Sequence, residues 1–379
     1  VVQTMKTLPP IAVGAIGLTA LIAAGLLGPC VRKERPGQGP GVTMVAPQNA
    51  SPLTVFTTVA LGGFRGLAID VLWARICILQ DKGEYVEIAQ LADWITKLDP
   101  GLPSVWDYHS FNLAYNISAM SSSPQDRWRW ICEGLRMLRD EAIVHNPHEA
   151  VLYDRLCRIY KHKMVDPVDP GRLYYRDCLA KEMTALLGGA HPDYVTLMIN
   201  EQSAQRPLDG CKLVPAVMMK VDNDYGPLDW RRPEAHMLHW AACGIKQSEG
   251  NNCKSLDIII CEAMREVFLH GCSVEFQPSA DNLTTDVCDE LLRKTLAAFE
   301  TAAAKNGLSL EKEEDLGGVY RQLLRSAMVL LVDRGRNELA QKVLSQLRDR
   351  LHDPSSNLPL QDYVMSIRTT HQDISPTAQ

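Results

Sequence analysis

The sequence predicts an all-α protein, built as an N-terminal transmembrane helix followed by an α-solenoid of helical hairpins. Three observations predict it. The run from Pro9 to Pro29, PPIAVGAIGLTALIAAGLLGP, carries no charged residue. At ~1.5 Å per residue its length of about 21 residues matches a ~30 Å hydrocarbon core. From Leu53 onward, apolar residues recur at three- and four-residue steps, with no convincing run of the alternation a strand needs. These amphipathic stretches repeatedly open on a capping residue, a proline and an acid, and several close on glycine or proline.

The membrane segment comes first, as an anchor over residues 1–31. Lys6 and the small residues Ala23, Ala24 and Gly25 also suit a cleaved export signal. Pro29 directly before Cys30 departs from a lipoprotein processing site. We read residues 9–29 as a retained single-pass helix in the lipid bilayer. Ala20, Ala24 and Gly28 fall four apart and present small residues on one face, which lets another helix approach closely. Orientation cues conflict: Arg32, Lys33 and Arg35 after the span favour a cytoplasmic body, whereas a lysine before the run is how an export signal starts.

Residues 32–52 follow as a Pro/Gly-rich linker. Its Gly37, Gly39 and Gly41 lack the preceding strand and following helix that a nucleotide loop requires. Residues 53–189 read as the first run of hairpins. A short helix is expected over Leu53–Leu61 and a longer one over Phe64–Gln80, broken at Gly83. Tyr85, Ile88, Leu91, Ala92, Ile95 and Leu98 then form a core-facing stripe that stops at Asp99-Pro100.

The segment DKGEYVEIAQLADWITKLDP resembles the second half of a tetratricopeptide repeat (TPR). The match lies in the turn glycine Gly83, the aromatic Tyr85, and Leu98-Asp99-Pro100 at the end. Ile88 and Ile95 stand where small residues are usual, so the repeat is degenerate. It covers about one unit of ~34 residues. The resemblance implies a TPR-like stack that binds proteins rather than turning over a substrate.

The rhythm continues with a helix over Pro103–Met120. Ser123-Pro124-Gln125-Asp126 supplies a cap, a proline in the first turn and an acid, and Asn146-Pro147-His148-Glu149 repeats that pattern. Leu173–Leu187 is helical and ends at Gly188. Residues 190–231 are irregular, an insertion or joint. Residues 232–379 resume the hairpins. The last clear pair, Leu316–Val332 and Asn337–Leu351, turns at Gly335, and Leu360–Arg368 caps the stack.

Composition narrows the function classes. A formal net charge of −6 gives no electrostatic case for nucleic acid. The 11 cysteines contain no C-x-x-C pair, and most fall on apolar helical faces, so they read as reduced and structural. His236, His239 and Cys243 share one helical face at ligand spacing for zinc or copper. With no fourth ligand evident, a packed helix is the better reading, and no cofactor is expected. Asp222–Gly226 fails as a calcium loop: the glycine comes one place early, and Pro233 stands where the glutamate belongs. The basic zone from Arg127 to Lys163 is interleaved with acids and reads as an ion-paired face. No P-loop, G-x-S-x-G or H-E-x-x-H occurs.

The expected function is therefore a membrane-anchored scaffold, a subunit of a larger membrane or envelope assembly. Its partners would be other protein subunits, with further copies of itself among them. Two alternatives stand beside it: an enzyme of envelope polymers with a pocket near residues 190–243, and a metal or redox accessory protein.

Overall fold

A computed structural model describes residues 52–201, 208, 210–248, 253–271, 285–351 and 354–372. Every regular element among them is helical. They form two compact units, one ending at Met120 and one beginning at Ser121. Among the described residues, no helix is long and apolar enough to cross a membrane. The proposed anchor over 9–29, with Ala20, Ala24 and Gly28, lies outside the described residues, as does the linker up to residue 51.

In the first unit, α1 (Pro52–Lys82), α2 (Tyr85–Leu98) and α3 (Pro103–Phe111) follow one another. The expected break between two helices at Gly62-Gly63 does not occur, and α1 runs through as one helix. Glycine costs a helix roughly 1 kcal/mol per residue but keeps its N–H, so it weakens the ladder without cutting it. Gly83 ends α1 with φ +73°. The Glu84 N–H donates to the Leu79 carbonyl (3.2 Å) and the Gly83 N–H to that of Gln80 (3.1 Å). That pair of bonds satisfies carbonyls the helix end would otherwise leave open. Ile76 and Leu79 of α1 then meet Ile88, Leu91, Ala92 and Ile95 of α2, with Val105 of α3 behind them. Pro100 sits in the next turn, where its carbonyl accepts the Trp106 indole N–H (2.8 Å). After Phe111 the helix widens into a π-helical turn, Asn112–Ile117, before finishing at Met120.

The second unit begins with α4 (Pro124–Met137). Its start is the one read from sequence: Ser123 Oγ accepts the Asp126 N–H (3.1 Å) and donates to the Asp126 carboxylate (2.7 Å). The start at Asn146 differs. The next helix, α5 (Ala150–Tyr160), begins four residues later, with Glu149 at its cap position. The Asn146 amide instead turns back to the Ala142 carbonyl (3.1 Å). The preceding helix ends in a π-helical turn, Leu138–Ala142, and a short tail to His145. Asn146 carries donors as well as an acceptor, and here it closes that end rather than opening the next helix.

The remaining helices are α6 (Arg172–Leu187), α7 (Tyr194–Glu201), α8 (Pro215–Tyr225), α9 (Pro233–Gln247), α10 (Lys254–Gly271), α11 (Thr285–Asn306), α12 (Gly318–Asp333), α13 (Asn337–Leu351) and α14 (Leu360–Gln372). The stretch over 190–231 thus holds two short helices, α7 and α8, within its loops. Helix α9 is the centre of this unit, packed between α5 and α10. Gly244 makes that fit: a Cβ there would stand 2.7 Å from Tyr153 Cβ and 2.8 Å from Leu256 Cδ1. Helices α10 to α14 close around a second apolar core, with Phe299, Tyr320, Leu324, Met328 and Leu344 fully buried. Gly335 (φ +73°) turns α12 into α13 with the same bond pair found at Gly83: Arg336 N–H to Leu331 (2.8 Å) and Gly335 N–H to Val332 (2.9 Å).

Candidate functional site

Helix α9 opens on Arg232, Pro233 and Glu234. Proline in the first turn needs no N–H partner, and an acid there is favoured by the helix dipole. Packing against α6 and α10 then buries Glu234 to 1% exposure. Three cationic or cationisable groups converge on its carboxylate: Arg176 of α6 at 3.7 Å, Arg232 at 3.7 Å and His270 of α10 at 3.8 Å. His270 also lies 3.6 Å from Glu266. Neither Glu234 oxygen accepts a hydrogen bond within the described residues. A buried carboxylate is costly unless opposite charge surrounds it, and here that charge comes from two guanidinium groups. Burial, then the positive field of Arg232, Arg176 and Arg172, pushes His270 down to about 4, so it is neutral at pH 7. Burial also lowers Arg232.

Above this cluster lies an open groove of about 640 Å³ between α6 and residues 229–232. Its rim is charge-compensated. Lys181 donates to Asp177 (2.6 Å) and Arg231 to Asp229 (2.9 Å). Burial pushes Asp229 up, but the bonds from Arg231 prevail and hold it below the usual carboxylate range. Thr184 donates its hydroxyl to the Ala180 carbonyl (2.6 Å), so the one hydroxyl of the lining is engaged as well. The lining side chains include Arg176, Lys181, Arg231 and Arg232 with Asp177 and Asp229, more basic than acidic groups. A lining of this kind suits an anionic group.

The sequence candidates for a metal go elsewhere. His236 is buried with Nε2 3.1 Å from the Trp230 carbonyl, stacked on Tyr160 and edge-on to Trp230. His239 is buried against Trp230 and Trp240, with Nε2 3.7 Å from Cys243 Sγ. Burial lowers His236 to about 4 and His239 to about 3. Among the described residues, no group of three or more His, Cys, Asp or Glu is placed to hold a metal ion. The rejected calcium loop is the C-terminal turn of α8 with its cap residue Gly226: Asp222 accepts the Leu228 N–H (2.7 Å), and Lys294 of α11 donates to the carbonyls of Asn223 (2.8 Å) and Gly226 (2.7 Å).

In the basic zone, Arg136 bonds Glu133 and Glu141, Arg158 bonds Asp154, and Lys161 bonds Glu262. Nine cysteines among the described residues are free thiols. Burial raises several of them, Cys132 and Cys261 to about 12 and Cys243 to about 11, which keeps them protonated and unreactive.

The Glu234 cluster escapes a reading of the sequence. Its members lie on three helices, and locally Glu234 shows only as a helix-start acid. Neither a protein-family model nor a curated protein nor a solved structure matches the chain.

Proposed function

We propose that this chain is a membrane-anchored, TPR-like helical scaffold that holds other protein subunits in a membrane or envelope assembly. The observation that carries this reading is the groove between α6 and residues 229–232. It is open and lined by Arg176, Lys181, Arg231 and Arg232 with Asp177 and Asp229, a surface suited to a carboxylate-bearing segment of a partner. Helix α6 on one side and the start of α9 on the other frame it, and a preformed frame lowers the ordering cost of binding. The apolar run over 9–29 supplies the address at the bilayer. The TPR resemblance around Gly83 and Pro100 supports binding as the activity.

The test is the size and content of mild-detergent extracts. The chain is expected in particles well above its own 42.1 kDa, together with other proteins in fixed ratio. Reversing the rim with Lys181→Glu and Arg231→Glu is expected to lower recovery of those proteins at least fivefold while leaving the melting temperature within a few degrees. Recovery of the chain without co-purifying proteins would count decisively against the scaffold reading.

A further inference from the structure

Helix α1 is apolar on two sides. Ile69, Leu72, Ile76 and Leu79 face the hairpin core. On the other side Phe64, Leu67, Val71 and Ile78 stand 42–61% exposed, with Ala74 exposed between the last two. Their spacing is three, four, three, four. A strict 3.5-residue apolar repeat keeps one narrow seam in line along a helix and fits a second helix wound beside it. Phe64, Val71 and Ile78 take the first apolar place of each heptad; Leu67 and Ala74 take the second. Val71 and Ile78 at the first place with Leu67 at the second follow the pattern that favours two parallel strands, while Phe64 and Ala74 keep the seam apolar without following it.

The flanks agree. Exposed Asp70 borders the seam on one side and Arg75 on the other, five residues on. In a parallel, in-register pair this offset sets Asp70 of each copy opposite Arg75 of the other. An antiparallel pair would bring like flanks together. Arg75 also bonds Glu87 of α2, Nε to Oε1 at 2.9 Å, which holds the guanidinium at the seam's edge while its side chain stays 58% exposed. A helix lying in lipid has a broader apolar face bordered by basic residues, which this narrow stripe with an acid at its edge lacks.

We infer that α1 is a self-association helix: two copies of this chain pair through a parallel coiled-coil seam running from Phe64 to Ile78. The helix is already ordered by its packing on α2, so pairing does not bear the cost of forming it. The inference concerns a different unit from the groove and stands independently of the scaffold reading. A dimer of the purified chain without other proteins would keep one and remove the other.

The experiment is disulfide trapping in the purified full-length chain, in a Cys77→Ser background because Cys77 is an exposed native thiol on α1 itself. Ala74→Cys lies on the seam and meets its own counterpart in a parallel pair. Gly66→Cys is equally open to solvent, with nothing within 4 Å of a Cβ, but points off the seam. Under mild oxidation Ala74→Cys is expected to form the linked dimer at least tenfold faster than Gly66→Cys. Adding Val71→Asp is expected to remove that advantage. Because Val71 is exposed, far-UV circular dichroism should show an unchanged fold. Asp70→Arg, a milder change outside the seam, is expected to slow trapping severalfold by setting Arg against Arg75. The inference is overturned if Ala74→Cys links no faster than Gly66→Cys. It is equally overturned if Val71→Asp and Asp70→Arg leave the rate unchanged. Either result means that the chain is a monomer, that the anchor alone brings copies together, or that another protein or lipid covers this face.

Discussion

At the scale of single residues, the most consequential position is Glu234. It is buried, and its neutraliser is shared between Arg176 and Arg232 at ion-pair rather than hydrogen-bond distances. Removing one member of a buried ionic group costs roughly 3–5 kcal/mol, because the remaining charge stays desolvated and uncompensated. Glu234→Gln keeps the shape and removes the charge. It is expected to destabilise the chain by about 3 kcal/mol, the low end because the contacts are loose, as read from urea unfolding. At this scale the sequence shows some partners and hides others for a physical reason. Ser123 caps as its local pattern says, because its partner Asp126 is three residues away. Asn146 offers the same pattern, yet it answers an open carbonyl at the end of the preceding helix, which its own short motif does not encode. Glu234 draws its partners from α6 and α10, and no spacing along the chain announces them.

At the scale of elements, the hairpin turns carry the clearest signal. Gly83 and Gly335 each adopt a left-handed φ and each close two carbonyls at a helix end. Any other residue there bears a strain of about 1–2 kcal/mol, so Gly83→Ala and Gly335→Ala are each expected to lower stability by about that amount. Gly66, inside α1 with open space around it, should respond with the opposite sign: Gly66→Ala is expected to gain up to about 1 kcal/mol. Thermal melts of the three variants check the contrast directly. Helical period and glycine position were legible because both are local. The π-helical turns at Asn112–Ile117, Leu138–Ala142 and Lys161–Val165 were not, since an added residue in a helix leaves its composition unchanged. The continuity of α1 through Gly62-Gly63 is not legible in the sequence, because two glycines weaken a helix without ending it.

At the scale of the whole molecule, the all-helical class followed from periodicity, while the placing of α9 between α5 and α10 follows from tertiary fit that no local pattern shows. That placing has a measurable consequence. It buries His236 and His239 as neutral imidazoles lowered to about 4 and 3, and it sets His270 beside two arginines at about 4. In the unfolded chain the same residues titrate near 6.5. Between these values the unfolded state binds more protons, so stability is intact above pH ~6.5 and is lost as pH falls through the window toward 4. Each buried histidine contributes a slope of up to about 1.4 kcal/mol per pH unit there. Stability measured from pH 7 to 5 is expected to fall. His236→Gln, whose amide replaces the bond to the Trp230 carbonyl, is expected to flatten that fall. The wide turns, finally, bear on how such a chain can change length. Each is a place where the backbone already carries one residue more than a regular helix needs, and the segment beyond it is turned by roughly 100° relative to an unbroken α-helix. A single-residue deletion at Leu138–Ala142 would therefore tighten the turn into ordinary helix and leave the short tail to His145 aimed as before. The same deletion within α9 would rotate half of a helix gripped on two sides. The sites of permissible insertion and loss are thus written into the helices themselves, not only into the loops that join them.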